Sequence, residues 1–360
     1  MSRLSALLPF ALLLTACRPP EEQPQPGTPT PPVSQTGIPL PPEIIEKTGL
    51  GVKDERAGIV LLQQDNRLPQ QEFQRNGLSM LVGRQAGYKF STQDAAGSAT
   101  LQAEQFREAI TTKPAAIFVS PVDPASLAAL IVEAQTAGIT VIGLDKRMIN
   151  DGCASTVFSD QNHLGQIAAQ TVIAALKRKA AEEGLPETKG RVVQIRGVEN
   201  SFPTNELAEG FADGLRKEPG IIIVHDAPAD WKAENATQRV AEAVRLQKQF
   251  DIIFAHNDTI AQGAAKGAAD AGQRESVFVI GVDGITGPSN KRGLELVRQG
   301  DLDATIVQPA LVDLALQIVL KMRTDKNFKP QASYEVEPVA VVAKNVEQAL
   351  KTGTYQLPKL

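Results

Sequence analysis

The chain of 360 residues carries 37 Lys and Arg against 41 Asp and Glu, a formal charge of −4. A mildly acidic body with no basic stripe excludes the electrostatic footprint that nucleic acid demands. Two cysteines exclude a scaffold built on disulfides.

Arg3 precedes an apolar run, Leu4 to Leu14, that is too short to span a bilayer. Leu14-Thr15-Ala16-Cys17 follows, with the small-residue spacing of a signal peptide. This cysteine resembles the acylated first residue of mature bacterial lipoproteins. The resemblance implies a signal peptide over residues 1–17, a lipid on Cys17, and a body in the cell envelope, anchored to a bacterial membrane and facing the periplasm or exterior. Residues 18–42 are dense in proline and polar, unable to build a helix or a central strand. Extended as polyproline II they would reach roughly 70 Å at ~3.1 Å per residue. Residues 18–57 therefore read as a tether and linker. With Cys17 acylated, Cys153 has no partner and reads as a small, semi-buried side chain. The remaining ~300 residues suffice for two domains with full cores.

From Gly58 strands and helices alternate. Apolar runs predict strands at Ile59–Leu62, Tyr88–Ser91, Ala115–Val119, Thr140–Leu144 and Thr156–Phe158, with helices over Gln70–Gln85, Thr100–Thr111, Pro124–Ala137 and His163–Glu183. A second series predicts strands at Arg191–Ile195, Ile221–Val224, Ile252–Ala255, Val277–Ile280 and Ala304–Val307. Its helices fall over Thr204–Lys217, Ala233–Lys248, Thr259–Ala271, Lys291–Gln299 and Leu311–Met322, with Thr259 as an N-cap. Two runs of βα units imply an α/β protein with two doubly wound parallel sheets.

In such sheets ligands bind outside the carboxyl ends of the strands. Polar residues stand at those ends: Ser120, Asp145 and Lys146, then Asn257, Asp283 and Gln308. An amide and a carboxylate together can hold adjacent hydroxyls of a ligand. The alternative at each position is a cap on the following helix.

The stretches Phe254-Ala255-His256-Asn257-Asp258-Thr259-Ile260-Ala261-Gln262-Gly263-Ala264 and Val279-Ile280-Gly281-Val282-Asp283-Gly284 resemble the ribose- and galactose-type (type I) periplasmic binding proteins of ABC importers. The resemblance extends from about Gly58 to Val346. It implies three chain crossings, near Asp160, Pro309 and Pro338, which form a hinge. One lobe would comprise residues 58–159 plus 309–337, and the other 160–308 plus 338–360. It further implies that Asp145, Asn257, Asp283 and Gln308 bind the ligand and that Trp231 stacks on it. Lys146 stands where the family has an arginine, keeping the charge but losing the planar fork.

Two stretches depart from the family pattern. Leu68-Pro69-Gln70-Gln71 replaces aromatic residues, and Leu207 falls where an arginine is expected, leaving Asn205 or Asn200 to take over. A site richer in amides, Gln70 and Gln71 included, fits a sugar, a polyol, a cyclitol or a sugar derivative.

The implied function is a monomeric solute-binding lipoprotein that delivers its ligand to the membrane subunits of an ABC permease. The alternative is a receptor of the same fold coupled to a membrane kinase or chemoreceptor. A repressor with this core would need a helix-turn-helix where the proline tether stands. Ser201, His163, His225 and His256 form neither a nucleophile elbow nor a metal-ligand spacing, so no catalysis, cofactor or metal is expected. His256 is expected to line the pocket. Cys17→Ser should abolish labelling by a fatty-acid analogue and block normal processing; equal labelling of the variant would remove the lipid anchor.

Overall fold

In a computed structural model, residues 58–85, 87–146, 148, 152–285, 293–352 and 360 are described; the expected signal peptide, Cys17 and the tether lie outside them. Five strands open the chain: β1 (Gly58–Gln63), β2 (Lys89–Asp94), β3 (Ala116–Val119), β4 (Thr140–Asp145) and β5 (Ser155–Phe158). Helices α1 (Pro69–Gly83), α2 (Ala99–Thr111) and α3 (Ala128–Thr136) connect the first four. After α4 (Gln161–Glu182) the alternation resumes with β6 (Gly190–Arg196), α5 (Phe202–Leu215), β7 (Ile221–Pro228) and α6 (Ala233–Gln247). It continues through β8 (Ile252–Ala255), α7 (Asp258–Asp270), β9 (Phe278–Asp283), α8 (Gly293–Gln299) and β10 (Ala304–Val307). Helix α9 (Val312–Thr324), β11 (Ser333–Glu335), β12 (Val339–Val342) and α10 (Val346–Thr352) complete it.

The strands form two six-stranded sheets, ordered β11-β5-β4-β3-β1-β2 and β12-β10-β9-β8-β6-β7. The first is parallel throughout. The second is parallel except at its margin, where β12, a strand outside the expected series, runs antiparallel to β10. Strands β3, β8 and β10 are buried at every position and apolar but for Thr305, as helices on both faces require. Edge strand β2, Lys89-Phe90-Ser91-Thr92-Gln93-Asp94, alternates and stays half-exposed.

Each sheet carries two cores. On the first, Phe73, Leu78 and Leu81 of α1 meet Leu316 and Val319 of α9 on one face. Phe106 and Ile110 of α2 meet Leu130 and Ile131 of α3 on the other. On the second, α6, α7 and α8 cover one face through Val240, Ala264 and Leu296. Leu164 and Val172 of α4 with Leu207 and Phe211 of α5 cover the opposite face. The chain passes between sheets after β5, after β10 and after β11.

Several boundaries differ from the expected ones. β11 and β12 were not anticipated: Ser333-Tyr334-Glu335 has no apolar run, and Val339–Val342 stands outside the regular βα alternation. β7 runs on to Pro228 past a register shift between Val192 and Val193 of its neighbour. Helix α7 begins at Asp258, and its cap is Asn257, whose side chain accepts from the Ile260 amide at 2.8 Å; Thr259 lies inside the helix.

The closest helix packing is that of α4 on α5. A methyl group at Gly210 would overlap the carbonyl oxygen of Asn162, and one at Gly165 would overlap that of Leu207. Backbone cannot yield as a side-chain tip can, so Gly210→Ala should lose about 1–3 kcal/mol of stability in urea titrations. An unchanged midpoint and slope would show that the two helices are free to part.

Candidate functional site

Parallel strands aim their carboxyl ends at one edge of each sheet, and in this fold the two edges face a common cavity. Counted out to its open mouth, the cavity is about 710 Å³, a size that suits a small molecule. Gln70 and Gln71 of α1, with Asp145 and Lys146 from the end of β4, form one wall. His256, Asn257 and Asp283 from the ends of β8 and β9, with Trp231, form the other, and Gln308 follows β10. Eight of the sequence-expected ligand residues thus meet in one place: Gln70, Gln71, Asp145, Lys146, Trp231, Asn257, Asp283 and Gln308.

The first wall is a network built on Asp145. Its carboxylate accepts from the Gln71 amide at 2.9 Å, from the Gln74 amide and from the Ser120 hydroxyl. Burial raises its pKa above the usual carboxylate range, while these hydrogen bonds and the Lys146 charge pull the other way. Gln71 is itself held, its Oε1 accepting from the Gln64 amide at 3.3 Å and its backbone carbonyl from Gln63 Nε2. Ser120 is fully buried and does not line the cavity; it stands behind Asp145 and orients it. Gln70 donates to the carbonyl of Pro309 at 2.8 Å, tying α1 to the second crossing. Its buried Oε1 has no partner among the described residues. Lys146 donates to the Val122 carbonyl at 3.0 Å and lies 5.4 Å from the ring centroid of Phe202. Burial lowers its pKa, opposed by the charges of Asp145 and Asp123.

On the second wall Asn257 has a divided role. Its Oδ1 caps α7, and the cap makes no use of the Nδ2 donor. His256 is 2% exposed, with Nε2 3.0 Å from Gln194 Nε2 and Nδ1 unpartnered among the described residues. Burial foremost, then the charge of Arg196, pushes its pKa down to about 3, so the imidazole is neutral. The Trp231 ring lies against Gly197, where a methyl group would collide with it. Behind this wall Asp258, 5% exposed, accepts from Thr305 Oγ1 and from the Gly284 amide, both at 2.7 Å.

Backbone strain gathers here. Asp145, Asp283 and Trp231 have φ of 67°, 102° and 59°. Asp tolerates the left-handed region moderately well, a bulky indole poorly, and each such residue costs on the order of 1–3 kcal/mol.

Asn205 is exposed on α5 and does not line the cavity, because the first turn of that helix directs Phe202, Pro203 and Leu207 inward. Gln64, Gln161, Phe202 and Pro203 line the cavity although they were not expected to. Phe202 could have been found as the residue preceding Pro at a helix start; Gln64 and Gln161 carried no signal. A second depression of about 760 Å³ lies at the opposite strand edge, and its charges pair with each other: Lys179 with Asp251 at 2.7 Å, Arg274 with Asp303 at 3.1 Å. Among the described residues His163, Glu335 and Glu337 have metal-compatible spacing, but none lines the cavity.

Residues 71–322 match the family model of the periplasmic binding protein domain. The ribose import binding protein RbsB of Salmonella typhimurium is 26% identical over 226 residues, covering 63% of this chain and 71% of that protein. Among solved structures, a periplasmic solute binding protein of an ABC transporter from Actinobacillus succinogenes, with bound D-allose, superposes with a TM-score of 0.69 at 25% identity, over 81% of this chain and all of that one (100%). The Caulobacter myo-inositol binding protein, bound to myo-inositol, gives 0.68 at 23% identity over 85% and 99%.

Burial, with a smaller contribution from Glu295, raises the Asp258 pKa from 3.8 to about 7 against the hydrogen bonds of Thr305 and Gly284. Between these values the unfolded chain sheds a proton that the folded chain keeps, so stability falls as pH rises. The stability of the protein minus that of Asp258→Asn should decline from about pH 4 to about pH 7 and then level off. A difference independent of pH would mean that Asp258 is ionised throughout.

Proposed function

Since the chain belongs to the periplasmic binding protein family, we propose that it is an envelope receptor that captures one sugar, polyol or sugar derivative between two lobes and delivers it to an ABC permease. The observation that carries this reading is the meeting of amide and carboxyl groups from the strand ends of both sheets, with Trp231, around one cavity. Asn257 Nδ2 donates to a ligand oxygen, the Asp283 carboxylate accepts from a hydroxyl, and the Gln308 amide serves either way. Trp231 packs on the C–H face of the ring and excludes water, which strengthens the bonds around it. Nothing in the set pairs a nucleophile with a base, so the chemistry is capture. Ribose and D-allose, named for proteins similar to this one, belong to the ligand class that such a site accepts.

Capture works through the crossings. Lobes that rotate about them bring Lys146 and Gln70 on one side toward Asn257 and Asp283 on the other. The Gln70 bond to Pro309 links the ligand wall to the second crossing. In this reading Cys17 carries the lipid, and residues 18–57 lift the body toward the permease.

Native mass spectrometry of the purified protein should reveal a co-purified polyhydroxylated molecule. The single tryptophan makes emission a site-specific probe, and it should change and saturate with the constant given by calorimetry. Asn257→Ala and Asp283→Asn should each weaken binding by about 2–3 kcal/mol, roughly 30- to 150-fold. Asn257→Ala should also lose about 1 kcal/mol of folding stability with its helix cap. A bound polyol that leaves Trp231 emission unmoved and tolerates both substitutions would refute this site.

A further inference from the structure

The two walls of the cavity differ in chemistry. On the first, Gln70, Gln71 and Lys146 present polar groups. On the second, beside His256, Asn257, Asp283 and Trp231, the first two turns of α5 add an apolar patch of Phe202, Pro203 and Leu207. A helix N-terminus ordinarily offers unpaired amide donors to a ligand. Here that capacity is reduced by one donor. Pro203 has no N–H. The Ser201 hydroxyl is spent on the Val198 carbonyl at 3.0 Å and on Thr204 Oγ1 at 2.8 Å. Thr204 is fully buried, and Asn205 is exposed and does not line the cavity. Leu207 is 2% exposed and anchored in the core between α4 and α5, so it cannot swing aside.

We infer that the ligand is amphipathic: a deoxy sugar, or a polyol bearing a methyl or other short alkyl group, with that apolar group against Leu207. Leu207 is then the residue that determines specificity. The inference rests on the reading of the site as a polyol receptor. A hydroxyl pressed against the side chains of Leu207 and Pro203 would lose its water and gain no partner from them, whereas a methyl group at the same place loses nothing. Trp231 can stack on a ring face, but Leu207 and Pro203 offer no flat surface and suit a substituent. Apolar pockets discriminate weakly against extra bulk, so the signal to seek is the penalty on an unpaired hydroxyl.

Calorimetry on the purified protein with matched pairs tests this: D-ribose against 5-deoxy-D-ribose, D-galactose against 6-deoxy-D-galactose, and myo-inositol against its mono-O-methyl ethers. In at least one pair the deoxygenated or methylated member should bind about tenfold more tightly. Leu207→Gln, which supplies an amide to the wall, should shrink or reverse that ratio. Because Leu207 is in the core, Phe202→Asn serves as a second variant; Phe202 is 54% exposed and its replacement spares the core. The same reduction of the ratio is expected there. Parent compounds that bind as tightly as their partners, or more so, in every pair would overturn the inference while leaving the polyol reading intact. No binding by any member would overturn the polyol reading, and the inference with it.

Discussion

A carboxylate at the end of a buried strand must be met by donors or it will not stay, and the first wall of this site is arranged around meeting Asp145. Gln71, Gln74 and Ser120 come to it from two turns of α1 and from the end of β3. All three are neutral and solvate the carboxyl group through hydrogen bonds, and the Lys146 charge adds to their pull. The arrangement fixes the rotation of α1 about its axis, since Gln71 and Gln74 lie one turn apart and must share a face. That rotation carries Gln70 to the Pro309 carbonyl. One buried group thereby sets the wall, the helix behind it and the contact with the crossing.

The second wall obeys the same rule with different means. Asn257 satisfies itself by capping its own helix through one amide atom and keeps the other for the cavity. Asp258 turns the opposite way, into the sheet, where Thr305 and the Gly284 amide hold it. Two adjacent polar residues therefore face cavity and core respectively, and the core-facing one holds the Gly284 amide just after Asp283. Lys146 and Phe202 reach toward each other from opposite walls, so the cavity is bordered by an ammonium over a ring as well as by hydrogen-bonding groups.

Much of this could be read in the residues alone. Strand ends are legible because a buried apolar run that stops at Asp, Asn or Gln marks both an edge and a side chain at that edge; Asp145, Asn257, Asp283 and Gln308 were found this way. The Gln63–Gln71–Gln74 network was not legible, since Gln71 and Gln74 on a half-polar helix look like a solvated face until Gln63 at the end of β1 is folded beneath them. Ser120 was read one layer too far forward, because sequence spacing shows which strand end a residue occupies and not its depth. Asn205 failed for a rotational reason: in a helix that begins with Pro, a shift of two positions moves a side chain through about 200°. The cap of α7 was displaced by two residues because Thr259 and Asn257 are both competent caps, and only burial of the strand end selects between them.

The left-handed backbone at Asp145 and Asp283 has an evolutionary corollary. A position held at such φ admits Gly, Asn and Asp and little else, so these strand ends have a small alphabet from which to change. Gln70, Phe202, Pro203 and Leu207 ride on helices of ordinary geometry, where any side chain that fits is tolerated. New ligand preferences would therefore arise by drift on the helix-borne wall, while the strand-borne groups persist as a common grip. The lineage can change its diet without rebuilding its hand.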